Sequence, residues 1–201
     1  MGQCFDFIVR HEFAHLALGH LNSDAGRAVN GDLLACQALE LAADGHAAIL
    51  GLEPLCDMPR KLGRPTGAID EAHRVFHRTP YDAIANYLLA IFFVFHLGKL
   101  GHANPSRKVH TPAPIRFHAT CIHLIEHCQQ NADVEGAAQV QSTMQDIWEV
   151  GELMFAATLG RAPNHSIKQL VLSEESERHY DLISNRAKAL PRHLLGLSNN
   201  S

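Results

Sequence analysis

FDFIVRHEFAHLALGHL, Phe5 to Leu21, and LLACQALELAADGHAAIL, Leu33 to Leu50, are the two stretches that decide how this chain is read. Phe5, Phe7, Ile8 and Val9 run directly into the first histidine, so a helix is already under way within ten residues. Gly19 is its expected stop, and Asn22-Ser23-Asp24 an expected turn. The second stretch predicts a helix from Asp32, its candidate N-cap, to Leu50, with Leu33, Leu34, Ala38, Leu41, Ala42 and Leu52 as its apolar or small positions. Gly51 and Pro54 are expected to end it.

The first helix carries His11-Glu12-Phe13-Ala14-His15. Residues four apart on a helix stand one above the other on the same face. Two imidazoles so placed can share one tetrahedral zinc ion. Glu12 then lies beside the metal without ligating it, where it can take a proton from a water and pass it to a leaving amine. The chain holds 15 histidines, which raises the rate of chance motifs, so the setting has to be weighed. Phe13, Ala14, Leu16, Ala17 and Leu18 make this helix largely apolar, and two histidines and a glutamate are costly there unless partnered. The alternative is a buried histidine pair, hydrogen-bonded without metal.

A third ligand is required, and three Glu-x-x-x-Asp pairs follow: Glu40/Asp44, Glu53/Asp57 and Glu177/Asp181. Pro54 follows Glu53 and is expected to separate that pair, while Glu177 falls in a polar, exposed stretch. Glu40 sits in ALELAADGHAA, whose small side chains allow close approach to the first helix. Glu40 is therefore the expected third ligand, and Asp44 the acceptor that supports a ligand imidazole. The position six after His15 is Leu21, so a third histidine ligand of that spacing is absent. His20 is five residues after His15, about 140° round the helix, which points it away from the metal, as a residue of the helix C-terminus. His46 is read as a bystander. His73/His77 and His123/His127 have helical spacing but no adjacent glutamate after the first histidine, and read as surface pairs.

The rest of the chain supports one mainly α domain. Apolar residues make up 46% and charged residues 19%, which excludes disorder. The charge balance is −4 with no block of one sign, which argues against a nucleic-acid partner. Five cysteines without a CxxC pattern favour free thiols and a reducing, cytoplasmic compartment. Cys56 to Gly67 reads as an irregular loop, Ile69 to Arg78 as a polar helix, and Tyr81 to Lys99 as the most hydrophobic helix. Its apolar core of about 15 residues is short of a membrane span, so a buried helix is expected, with membrane association as the alternative. His102 to Arg116 reads as a proline-bearing loop, and helices are expected over Phe117–Gln130 and Val140–Leu159. In the latter, Ile147, Val150, Met154 and Ala157 are the expected packing stripe. Gln169–Leu172 is the only strand candidate. The expected division is a helical domain over 1–165 and a polar helical tail over 166–201.

HEFAHLALGH followed by ELAAD resembles the gluzincin clan of metallopeptidases, and its wording is similar to small bacterial cytosolic members, the phage-exclusion Lit-like peptidases. The likeness covers Phe5–Ala48. It implies Zn2+ held by His11, His15 and Glu40, Glu12 as general acid and base, Asp44 supporting His11, and a protein or peptide substrate. His110-Thr111-Pro112-Ala113-Pro114-Ile115-Arg116 resembles the His-Pro-Pro…Arg segment of relatives of the CAAX and heat-shock membrane proteases, with Thr111 where that pattern has proline. That likeness implies that His110 and Arg116 help hold substrate or the developing oxyanion. Gluzincins place a β-sheet before the HExxH helix, and ten residues precede His11 here. Two alternatives follow: a chain that starts late, or a reduced, nearly all-helical version with an open cleft. The rival function is a zinc-binding regulatory or interaction protein without turnover.

Overall fold

The computed structural model describes residues 2–61, 79–97, 111–160, 162, 169 and 173–197, with the side chains of 53–61, 80 and 155 left aside. Among the described residues the protein is all helical, with seven α-helices and no strand. They are α1 (Gly2–Ala17), α2 (Ser23–Val29), α3 (Leu33–Lys61), α4 (Pro80–Leu97), α5 (Ala113–Gln130), α6 (Val134–Thr158) and α7 (Glu174–Ala187). A 3₁₀ turn over Arg192–Leu195 follows.

α3 is the axis of the fold, touching α1, α2, α4, α5, α7 and the 3₁₀ turn. Its composition explains this: Ala35, Ala38, Ala43, Ala47 and Ala48 are all buried, so neighbouring backbones approach from several sides. Over Leu33–Leu52 it is long and apolar enough to cross a membrane, but most of that stretch is buried inside the molecule. Asp32 caps it, its Oδ1 accepting from the Ala35 N–H at 3.1 Å.

α3 does not end at Gly51 and Pro54 as expected; it runs on to Lys61. Proline has no N–H and so leaves the carbonyl four residues earlier, that of Leu50, without its helical donor. Arg10 of α1 fills the gap: its Nη1 donates to Leu50 O at 2.8 Å, while its Nε donates to Asp6 Oδ2 at 2.7 Å. Gly51 is placed for packing instead of termination, because a Cβ there would lie 2.0 Å from the Tyr87 hydroxyl oxygen.

Other boundaries shift for equally local reasons. α5 begins at Ala113, inside the expected proline loop, because Pro114 in a first turn lacks only an N–H that would have no helical partner. α6 begins at Val134, six residues early, where Asp133 Oδ1 accepts from the Gly136 N–H at 2.9 Å. Its buried stripe is Val140, Met144, Ile147 and Trp148, whereas Val150 and Met154 are exposed. Asn22-Ser23-Asp24 leads into the short helix α2. The expected polar helix over 69–78 lies outside the described residues, as does nearly all of the strand candidate over 169–172.

Two apolar clusters flank α3. One is aromatic, with Phe7, Tyr87, Phe92, Phe95, Phe117 and Trp148 from α1, α4, α5 and α6. The other is built from small residues and leucines, including Ala25, Ala35, Ala38, Leu39, Leu41 and Ala119, and is closed by Ile183, Leu190 and Leu194. The last three show that the C-terminal segment packs on α3 through buried side chains, although most of its surface is polar.

Candidate metal centre

His11, His15 and Glu40 converge where α1 lies along α3. His11 and His15 project from one face of α1, one turn apart, with their Nε2 atoms 3.1 Å from each other. Glu40, on the small-residue face of α3, brings Oε2 to 3.6 Å from His11 Nε2 and Oε1 to 3.4 Å from His15 Nε2. A tetrahedral zinc ion with bonds of about 2.0–2.1 Å requires its donors about 3.3–3.5 Å apart. The three separations bracket that edge length. Each side chain is between 13 and 16% exposed, so the donors are shielded yet reachable from solvent.

The hydrogen bonds behind the imidazoles decide where their lone pairs point. His20 Nε2 lies 2.6 Å from Leu194 O, and a carbonyl only accepts, so this nitrogen carries the proton. Burial holds the pKa of His20 below its ordinary value, and in the neutral ring its Nδ1 is an acceptor. His15 Nδ1, 2.8 Å away, donates to it. On the other ring, His11 Nδ1 lies 2.9 Å from Asp44 Oδ1. That contact is bent out of ideal hydrogen-bond alignment, so it is chiefly an electrostatic one. Both Nε2 atoms are left to face each other and Glu40.

Two ring nitrogens and a carboxylate so close repel one another unless a proton or a cation lies among them. The Glu40 carboxylate, by hydrogen bonding, pushes the His15 pKa up despite the opposing effect of burial. A metal ion would discharge the same repulsion and use all three donors. The donor chemistry and the spacing therefore fit zinc.

Asp44 is fully buried, and Arg116 accounts for how its charge is tolerated. Arg116 Nε donates to Asp44 Oδ2 at 2.8 Å and Nη2 to Asp44 Oδ1 at 2.7 Å, a two-pronged geometry. Nη2 also approaches Glu40 Oε2 at 3.6 Å, and the guanidinium lies 4.6 Å from the centre of the Phe95 ring. Burial works against the arginine charge, but the Asp44 carboxylate outweighs it and the pKa is raised. α5 can bring Arg116 this close because Gly45, next to Asp44, has no side chain: a Cβ there would meet the His123 ring at 2.8 Å.

Of the residues singled out from sequence, His11, His15, Glu40, Asp44 and Arg116 are gathered in one cluster. Arg116 sits in the first turn of α5, with its fork on Asp44. Glu12 is exposed on α1, near enough to His15 for its charge to raise that pKa. His110, His73 and His77 lie outside the described residues. His123 Nδ1 donates to Ala119 O at 3.0 Å and His127 lies beside Asn131, so neither shares a metal-sized cluster among the described residues. Glu177 is exposed on α7.

His20 is the correction. Helical angles counted from His15 point it away, although Gly19, the expected stop, stands between the two. α1 ends at Ala17 and Gly19 turns the chain with φ +74°, so helical angles no longer apply and His20 swings back to His15. The glycine immediately before His20 was the signal available in the sequence.

Compared with known proteins, the chain matches no family model, no curated protein and no solved structure.

Proposed function

We propose that this protein is a zinc-dependent peptidase, with His11, His15 and Glu40 as the metal ligands. The observation that carries the reading is the convergence of the two histidine Nε2 atoms, 3.1 Å apart, on the Glu40 carboxylate, whose two oxygens lie 3.4 and 3.6 Å from them, within reach of one metal ion. When bound, zinc would acidify a water and polarise a substrate carbonyl. Glu12, exposed beside His15, serves as the base that accepts the proton of the attacking water and returns it to the departing nitrogen. Asp44 orients His11 from behind, and Arg116 holds Asp44 in place and approaches Glu40. The substrate is a protein or peptide. Free thiols at Cys4, Cys36, Cys121 and Cys128 support a reducing, cytoplasmic setting.

Metal content and peptide hydrolysis, measured together, test this reading. About one zinc per chain is expected in the wild type and in Glu12→Gln, and none in Glu40→Ala. Glu12→Gln is expected to lose about 10²–10⁴-fold in hydrolysis while keeping its zinc. Zinc at full occupancy with no hydrolysis of a peptide library by the wild type would favour the regulatory zinc protein. No zinc after reconstitution would overturn the metal site itself.

A further inference from the structure

Two groups stand behind the cluster that no requirement of ligand count explains: the imidazole of His20 and the carbonyl of Leu194. They lie 174 residues apart in sequence and 2.6 Å apart in space. The chain runs His15 Nδ1 to His20 Nδ1 at 2.8 Å, then His20 Nε2 to Leu194 O. Its direction is fixed at one end, because the carbonyl can only accept. With Nδ1 of His15 engaged by His20, the ring nitrogen left to face Glu40 is Nε2, the atom a metal would take in place of a proton.

The carbonyl is itself held by local structure. Leu194 is fully buried and lies in the 3₁₀ turn Arg192–Leu195. Its own N–H donates to Pro191 O at 3.0 Å, and the Gly196 and Leu197 N–H groups close the turn on His193 O and Arg192 O at 3.2 and 3.1 Å. Gly196, at φ +70°, packs beside Leu18, where a Cβ would lie 3.3 Å from the leucine side chain. The turn therefore seats against the end of α1 next to the cluster.

We propose that His20 and the Leu194 carbonyl are positioning groups of the metal centre, so that zinc binding and docking of the C-terminal 3₁₀ turn strengthen one another. This rests on His11, His15 and Glu40 being the zinc ligands. A correctly tautomerised His15 binds zinc better, and the turn supplies the acceptor that selects that tautomer. By linkage, whatever factor docking contributes to zinc affinity, zinc returns to docking.

Two measurements on the full chain test the coupling. In zinc titration calorimetry, His20→Leu is expected to bind zinc about 10–100-fold more weakly than wild type. His20→Gln is expected to restore binding to within about threefold, since its amide oxygen can accept from His15 while its nitrogen donates to Leu194 O. Amide hydrogen exchange of wild type, with and without zinc chloride, is expected to slow at Leu194, Gly196 and Leu197 by about tenfold or more. This second measurement needs no variant, so it decides the matter even if His20→Leu does not fold. A purely structural His20 would lower the melting temperature of zinc-free and zinc-loaded protein alike and leave affinity unmoved. Wild-type zinc affinity in His20→Leu, or exchange at 194–197 indifferent to zinc, overturns the coupling while leaving the peptidase reading intact. A wild type that takes up no zinc overturns both.

Discussion

His11 and His15 stand one turn apart on the same face of α1, yet the structures behind them differ in kind. His11 is backed by a buried carboxylate, a two-pronged arginine and an aromatic ring, drawn from α3, α5 and α4. His15 is backed by a neutral imidazole and one backbone carbonyl, the latter from a short turn near the far end of the chain. Charged, bidentate bonds are roughly twice as strong as neutral ones, and they are here anchored in the aromatic core. The His11 side is thus tied by charged bonds into the aromatic core, while the His15 side rests on neutral bonds to the C-terminal turn. A site built this way has one fixed wall and one adjustable wall.

The largest expected effect tests that asymmetry directly. Asp44→Ala leaves the mostly buried Arg116 without its principal partner, and removing one member of such a pair costs about 3–5 kcal/mol. Urea unfolding of zinc-free protein should show this loss, and zinc affinity should fall at least as far as in His20→Leu. Asp44→Asn, which keeps the shape and one acceptor, should fall between. If Asp44→Ala proves no more destabilising than His20→Leu, the two sides are equivalent and the contrast is broken.

A second, smaller effect separates fold from site. A methyl group at Gly51 would lie 2.0 Å from the Tyr87 hydroxyl and 2.5 Å from its ring carbon, and Tyr87 is fully buried. Overpacking of this kind costs about 1–3 kcal/mol. Gly51→Ala is expected to lower the melting temperature while leaving zinc affinity near wild type, because Gly51 lies two turns beyond Asp44. Adding Tyr87→Phe removes the nearest clashing atom, though it also gives up the bond to Ala47 O at 3.2 Å, and is expected to recover only part of the loss. A large fall in zinc affinity in Gly51→Ala would show that the aromatic cluster and the metal centre are one mechanical unit.

How far the sequence reaches is clear from particular residues. The all-helical class, the Asp32 cap and the stop at Gly19 were legible because each rests on local chemistry: apolar periodicity, an aspartate before a leucine pair, a glycine after it. The convergence of Glu40 on the two histidines was legible because alanines on both sides of it announce close approach. What the sequence hides depends on contacts far along the chain. Nothing near Pro54 says that Arg10, 40 residues before Leu50, will satisfy the carbonyl that the proline orphans, and so let α3 continue. Nothing near His20 says that Leu194 will face it. The placement of Arg116 on Asp44 turns on Gly45, whose missing side chain sets the distance between two helices. Local signals place elements; the exceptions to those signals are settled by partners that only the fold brings near.

The smallest expected effect concerns the outer edge of the adjustable wall. α7 is tied to the start of α3 by Arg186, whose Nε donates to Asp32 Oδ2 and whose Nη2 donates to Ala28 O at 3.2 Å. The Arg186 bond, followed by the Ala35 N–H, holds the Asp32 carboxyl below its usual pKa. A carboxyl whose folded pKa is depressed contributes stability above its unfolded value, about 3.9, and loses that contribution as pH falls through the folded value. Asp32→Asn keeps a capping oxygen for Ala35 but gives up the charge that Arg186 meets. The variant should therefore melt slightly below wild type at pH 7, and the difference should fade in acid as the wild-type carboxyl itself becomes protonated. The pair is partly exposed, so salt should shrink the difference as well. A gap that persists unchanged into acid would mean that the bond to Arg186 is held by shape and not by charge. In that case α7, and with it the seating of the C-terminal turn, would keep its grip at any pH.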